Sequence, residues 1–301
     1  MNIKTKKSRL EVIETLKNVV DSLMPEFNTR LVQKLRPQER RLYQRLGEIT
    51  FDEGNWYRPH HNFIVTAAMN QICRKNSFLR REALMSLAML HDIGYSRLKI
   101  NIQGADWESA DKRIAHMVEG AHMYREIMVD MHKNGKYHLN PIRLDDFDDG
   151  PYSSIEDCAH IVAVHDNPYI GKTIDKPDGL HLRDADRLYV CSFSSFVKDY
   201  LNYLDKEMKL TAEQFVQRRA YSFIRPEEQN PLFLIMPDRP EQFYEKKYEP
   251  FILEHPKKLW TQQIMDRGFE VRCNRMFDMD IQEFKYYAEK ELQREAEQFL
   301  S

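Results

Sequence analysis

The chain has 301 residues, with 45 Lys+Arg against 47 Asp+Glu and a formal net charge of −2. That length allows one large domain or two modest ones with a sizeable core. The near-neutral balance gives no electrostatic reason to expect nucleic acid or an anionic membrane as a partner, and 10 Gly with 13 Pro are too few for a disordered chain.

Apolar residues recur at steps of three and four, which predicts an all-α protein. Leu10, Val12, Ile13, Leu16, Val19, Val20 and Leu23 mark a first helix, expected to stop before Pro25. A second is expected over residues 31–46. Arg58-Pro59 opens a third that runs to about Arg74, with His61, Val65, Ala68 and Ile72 on one face. A fourth covers 79–91, with Gly94 suited to its C-terminal cap. A fifth begins near Asp106 and fades at Asn134-Gly135, followed by a loop. Ser153 and Glu156 form a capping box for a sixth helix ending near His165. Residues 166–182 read as a loop. A seventh helix is expected from about Asp184 to about Lys206, its inward face carrying Asp186, Val190 and Phe193. After Leu210 the chain is rich in Phe, Tyr, Pro and Glu, and a charged helix over 280–300 closes it.

The four Cys are far apart in sequence, so no CxxC motif exists, and buried thiols in a reducing compartment are expected. The N-terminus has no apolar signal-peptide core. The longest nearly apolar stretch, 83–90, is far short of the ~20 residues of a membrane-spanning helix. A cytoplasmic protein with no membrane partner is the expectation.

Ten of the 11 His lie between His60 and His181. His61, His91, Asp92, His116, His165 and Asp186 fall at ends or inner faces of the expected helices. Four imidazoles and two carboxylates would be costly to bury unless they bound something. Imidazole with carboxylate suits one or two divalent ions of Mn, Fe, Co, Ni or Zn. The remaining features have plainer readings. His60 is expected at the surface of a helix N-terminus. His122 and His160 are out of phase with the ligand candidates. Asp184 could cap the seventh helix, and the Asp145–Asp149 run reads as a solvated loop. Met117, Met123, Met128 and Met131 read as core filling.

The order of these pieces resembles the HD-domain superfamily of metal-dependent phosphohydrolases. The matching segments are His61-Asn62-Phe63-Ile64-Val65, Leu90-His91-Asp92-Ile93-Gly94, His116-Met117-Val118-Glu119-Gly120-Ala121, Ile161-Val162-Ala163-Val164-His165 and Asp184-Ala185-Asp186-Arg187-Leu188, over about 130 residues. The resemblance implies an HD-domain-like helical bundle with N-terminal helices over 1–50, a metal-binding domain over 51–206 and a mostly helical C-terminal extension over 207–301. It implies that His61, His91, Asp92 and Asp186 hold a first metal and that His116 and His165 hold a second. Asp92 would be catalytic. The implied activity is hydrolysis of a nucleotide or other small phosphate ester. Where some members carry Lys after Ile-Gly, this chain has Tyr95, so the phosphate-binding cations are open among Arg58, Arg97, Lys99, Arg183 and Arg187. Two other readings stay open: a di-iron oxygenase of the same fold, and a silent nucleotide-binding regulator. Assembly into a homo-oligomer is also open.

Overall fold

A computed structural model of the chain describes residues 8–75, 79–98, 110–139, 154–167, 174, 176–190, 192–195, 197 and 279–301. Among them every regular element is a helix: α1 (Arg9–Lys34), α2 (Pro37–Gly47), α3 (Arg58–Lys75), α4 (Arg81–Leu90), α5 (Ala110–Lys133), α6 (Ile155–Val164), α7 (Pro177–Val190) and α8 (Ile281–Leu300), with short 3-10 turns at Glu53–Asn55 and Ile93–Ser96. None of the described helices is long and apolar enough to cross a membrane.

Helix α3 is the centre of the bundle. From His60 to Cys73 every residue is buried, so it has no solvent face. It packs on α1, α4, α7 and α8, while α5 lies against α6 and the 3-10 turn that follows α4. The 14 residues from His60 to Cys73 therefore need both apolar side chains and polar groups with internal partners. One such partner set is bidentate: buried Arg81 donates to both oxygens of buried Glu39 at 2.7 Å and also to Asn70 Oδ1, tying α4 to α2 and α3.

Several boundaries differ from the sequence expectation. Helix α1 continues through Pro25 to Lys34, so the break falls at Leu35–Arg36, before Pro37. An interior proline costs about 3 kcal/mol. Continuing the helix buries Phe27, Leu31 and the C-cap Leu35, at about 1.5–3 kcal/mol each, which outweighs that cost. Pro37 then occupies the first helical position of α2, where its missing N–H is harmless. The α6 capping box is one residue later than expected: Ser154 Oγ accepts from the Asp157 N–H and Asp157 Oδ2 accepts from the Ser154 N–H, both at 3.1 Å.

Helix α7 starts at Pro177, inside the expected 166–182 loop, because proline suits a first turn as well as a loop. Asp184 is consequently a fully buried mid-helix residue and not a cap. Gly94 is not an αL cap either. It lies within the 3-10 turn and meets α5, whereas Gly135, at φ 61°, does end a helix, α5, as the Asn134-Gly135 signal predicts. The start of α5 before Ala110, the acidic run at 145–149 and the aromatic-rich segment after Leu210 lie outside the described residues. Helix α8 packs on α1 and α3 through Phe284, Ala288, Leu292, Ala296 and Phe299.

Candidate metal centre

All six expected ligands converge. His61 comes from the first turns of α3, His91 and Asp92 from the end of α4, His116 from α5, His165 from the end of α6 and Asp186 from α7. His61, His91, Asp92, His116 and His165 are buried, and the Asp186 side chain is 20% exposed.

Asp92 stands at the middle with its two oxygens divided between two histidine pairs. Its Oδ2 lies 3.3 Å from His91 Nε2 and 3.5 Å from His61 Nδ1. Its Oδ1 lies 3.3 Å from both His116 Nε2 and His165 Nε2. Asp186 Oδ1 closes the first side, 2.8 Å from His61 Nε2 and 3.5 Å from His91 Nε2. Two donor sets follow, His61/His91/Asp92 and Asp92/His116/His165, each compact enough to surround one ion.

The ring orientation comes from helix ends. The last carbonyls of a helix have no intrahelical partner. His91 and His165 are the C-cap residues of α4 and α6, and each turns Nδ1 to a carbonyl three residues back: Ala88 O at 3.2 Å and Val162 O at 2.7 Å. His116, inside α5, turns Nδ1 to Lys112 O, four residues back, at 3.3 Å. A carbonyl only accepts, so Nδ1 carries the hydrogen in all three rings and the neutral imidazole has its lone pair at Nε2. Those lone pairs face carboxylate oxygens, an arrangement that repels unless a proton or a cation lies between. His91 Nε2, fully buried, has no hydrogen-bonding geometry to either nearby carboxylate. Donor atoms held about 2.1 Å from an ion sit about 3–3.4 Å apart, close to the 2.8–3.5 Å separations here. Each of the two donor sets could hold a metal ion.

The electrostatics point the same way. Burial would raise the Asp92 carboxyl, but the Arg58 guanidinium and His91 outweigh it and hold it well below the usual carboxylate range. Burial pushes His91 down, yet Asp92 and Asp186 overcome this and raise it to about 10. His116 is lowered by burial, while its neighbour His165 is raised by Asp166 and Asp92 against burial. The carboxylates thus stay ionised beside imidazoles that they raise, and a bound cation would take the place of the protons held there.

Of the expected phosphate-binding cations, only Arg58 is placed at the cluster by the described side chains. Its guanidinium pairs with Asp92 Oδ2 and lies over the rings of Tyr95, 4.0 Å from the centroid, and Tyr57, 4.7 Å. Tyr95 in turn stacks on His116 at 4.0 Å and 16°. Arg97 is at the surface, paired with Glu119 and Glu126 on α5. Arg183 is turned to Asp184 at 3.1 Å. Lys99 and the Arg187 side chain lie outside the described residues.

Two residues were missed from sequence. His60 is fully buried, not at the surface: Nδ1 is 2.8 Å from Ser194 Oγ and Nε2 is 3.5 Å from Glu295 of α8. Its helix phase gave no hint that α8, more than 200 residues later, covers it. Asp166, expected in a loop, is buried 3.6 Å from His116 Nε2 and bonded to Arg113 at 3.0 Å. His122 and His160 are exposed, and Met117, Met123, Met128 and Met131 are buried, as their phases predict.

The described fold and site thus define an all-α bundle around a buried His/Asp centre that could hold metal. Comparison with known proteins finds no significant match to a family model, a curated protein or a solved structure.

Proposed function

We propose that the chain is a metal-dependent hydrolase of a small phosphate ester, such as a nucleotide, in which Asp92 would be shared between two cation-holding sets. The observation that carries this reading is the division of the Asp92 oxygens between two pairs of imidazole nitrogens. The order of the motif residues, which resembles the HD-domain phosphohydrolases, supports it.

A divalent cation held there would supply Lewis acidity, lowering the pKa of a water and polarising a phosphoryl oxygen. The protein's part is positional. His61, His91 and Asp186 would hold one side, His116 and His165 the other, and Asp92 would set their separation. Carbonyls of Ala88, Lys112 and Val162 fix three of the rings, so little reorganisation accompanies binding. Arg58, clamped by Tyr57 and Tyr95, supplies a fixed positive charge beside Asp92 for a phosphoryl oxygen.

The test is elemental analysis of the purified protein, followed by a nucleotide and phosphoester panel with the metal found. Turnover is expected for the wild type, and loss of both metal and turnover for Asp92→Ala. Full phosphatase activity in metal-free Asp92→Ala would overturn the reading. Oxygen consumption by iron-loaded protein, without phosphate release, would replace it with the oxygenase reading. Tight nucleotide binding with no turnover under any metal would replace it with a regulatory one.

A further inference from the structure

The two sides of the cluster are more alike than the six expected ligands suggest. The first side has two imidazoles, the shared Asp92 and a carboxylate of its own, Asp186. With the six alone, the second side has two imidazoles and the shared Asp92 only. Asp166 stands where the missing carboxylate would be. Its Oδ2 is 3.6 Å from His116 Nε2 and its Oδ1 is 3.9 Å from His165 Nε2.

The local structure repeats as well. His91-Asp92 follows the end of α4, and His165-Asp166 follows the end of α6. In each pair the histidine is the helix C-cap and turns Nδ1 to the carbonyl three residues back. In each pair the next residue is an Asp, buried and paired with an arginine: Arg58 for Asp92 and Arg113 for Asp166.

A buried carboxylate beside imidazole lone pairs has two uses. It can be the partner of Arg113 alone, or it can also face a cation. A carboxylate has about four lone-pair directions, and Arg113 takes one of them through a 3.0 Å bond to Oδ2. The imidazoles of His116 and His165 have their Nδ1 hydrogens committed to Lys112 O and Val162 O. When neutral they have no hydrogen to offer Asp166. What would join these three groups is a positive charge among their facing lone pairs.

We propose, resting on the metal reading above, that Asp166 is the own carboxylate ligand of the second cation, the counterpart of Asp186 at the first. Each cation then meets two imidazoles, the shared Asp92 and one further Asp. Donors about 2.1 Å from one ion lie about 3–3.4 Å apart, so the Asp166 carboxylate, with its two oxygens at 3.6 and 3.9 Å, must move inward to join His116 and His165.

The experiment is Mn²⁺ titration of metal-stripped full-length protein, read by bound ions per chain and by electron paramagnetic resonance. Wild type is expected to take two ions with a spin-coupled signal. Asp166→Asn, which keeps an acceptor for Arg113, is expected to take one ion with a mononuclear six-line signal, at unchanged helix content by circular dichroism. Two ions bound by Asp166→Asn with wild-type affinity would overturn the proposal and leave the metal reading intact. One ion in the wild type would also overturn it, again without touching the first position. No ion in the wild type would overturn the metal reading itself. If Asp166→Asn does not fold, a crystal structure of Mn²⁺-loaded wild type decides: an Asp166 oxygen at about 2.0–2.2 Å from the second ion supports the ligand role, and a carboxylate bonded to Arg113 alone overturns it.

Discussion

Gly94 meets the backbone of His116 so closely that a Cβ at position 94 would lie 2.1 Å from the His116 carbonyl oxygen and 2.6 Å from the Gly120 nitrogen. Gly94 is two residues from Asp92, and His116 carries one of the nitrogens facing Asp92. The contact between the 3-10 turn and α5 therefore sets the distance across the second half of the centre. Gly94→Ala must push α5 away. We expect a loss of about 1–3 kcal/mol, the usual range for overpacking, in urea unfolding. Metal titration should show the second ion weakened more than the first. Equal weakening of both would show that this contact does not set the separation.

Metal should stabilise the fold. The donors come from α3, α4, α5, α6 and α7, so two ions bound only by the folded chain would together link five helices. At a free ion concentration 100 times Kd the gain is about 2.7 kcal/mol. Thermal melting with and without a chelator measures it. The difference should vanish in Asp92→Ala, and a chelator-insensitive melting temperature in wild type would count against metal binding.

His60 and His61 are neighbours with opposite expected phenotypes. His60 lies between Ser194 and Glu295, away from the cluster, and is fully buried. His60→Ala should lower stability by about 2–4 kcal/mol, as core truncations do, and leave metal stoichiometry unchanged. His61→Ala should remove the first ion. Measuring unfolding and metal content on both variants separates the roles.

The Glu39–Arg81 pair is buried and bidentate. Removing one partner leaves a charge without its counter-ion, which costs about 3–5 kcal/mol. Glu39→Ala should show this in denaturant unfolding. A double variant with Arg81→Met should recover part of the loss, since neither charge then remains. A double variant no more stable than Glu39→Ala would contradict that account.

Cys73 and Cys158 are buried, and burial pushes each thiol up to about 12. At pH 8 a thiol reagent should label them only as fast as the chain opens. Above the unfolded thiol value near 8.5, the unfolded chain loses protons that the folded chain keeps, so stability falls as pH rises toward 12. The slope is at most about 1.4 kcal/mol per pH unit for each thiol. Urea midpoints between pH 8 and 10.5 give the measurement, and a serine substituted at either position should flatten the curve.

By itself the sequence marked the six residues that meet at the centre and most of the helices that carry them, though not the start of α7. Steps of three and four place His61 and Asp186 on inward faces, and His91 and His165 stand at helix ends where free carbonyls fix their rings. Those are local properties, so a single chain reads them out. Tertiary structure alone decided what covers what. Whether α1 survives Pro25 depends on the core waiting for Phe27 and Leu31. Whether His60 meets water depends on Glu295 in the last helix. Asp166 looked like a loop residue because nothing within ten residues of it names His116 or Arg113 as neighbours. Hydrophobic period records which face of a helix is buried. It holds no record of the distant element that does the burying, and polar residues such as Asp166 and His60 take their meaning from that element.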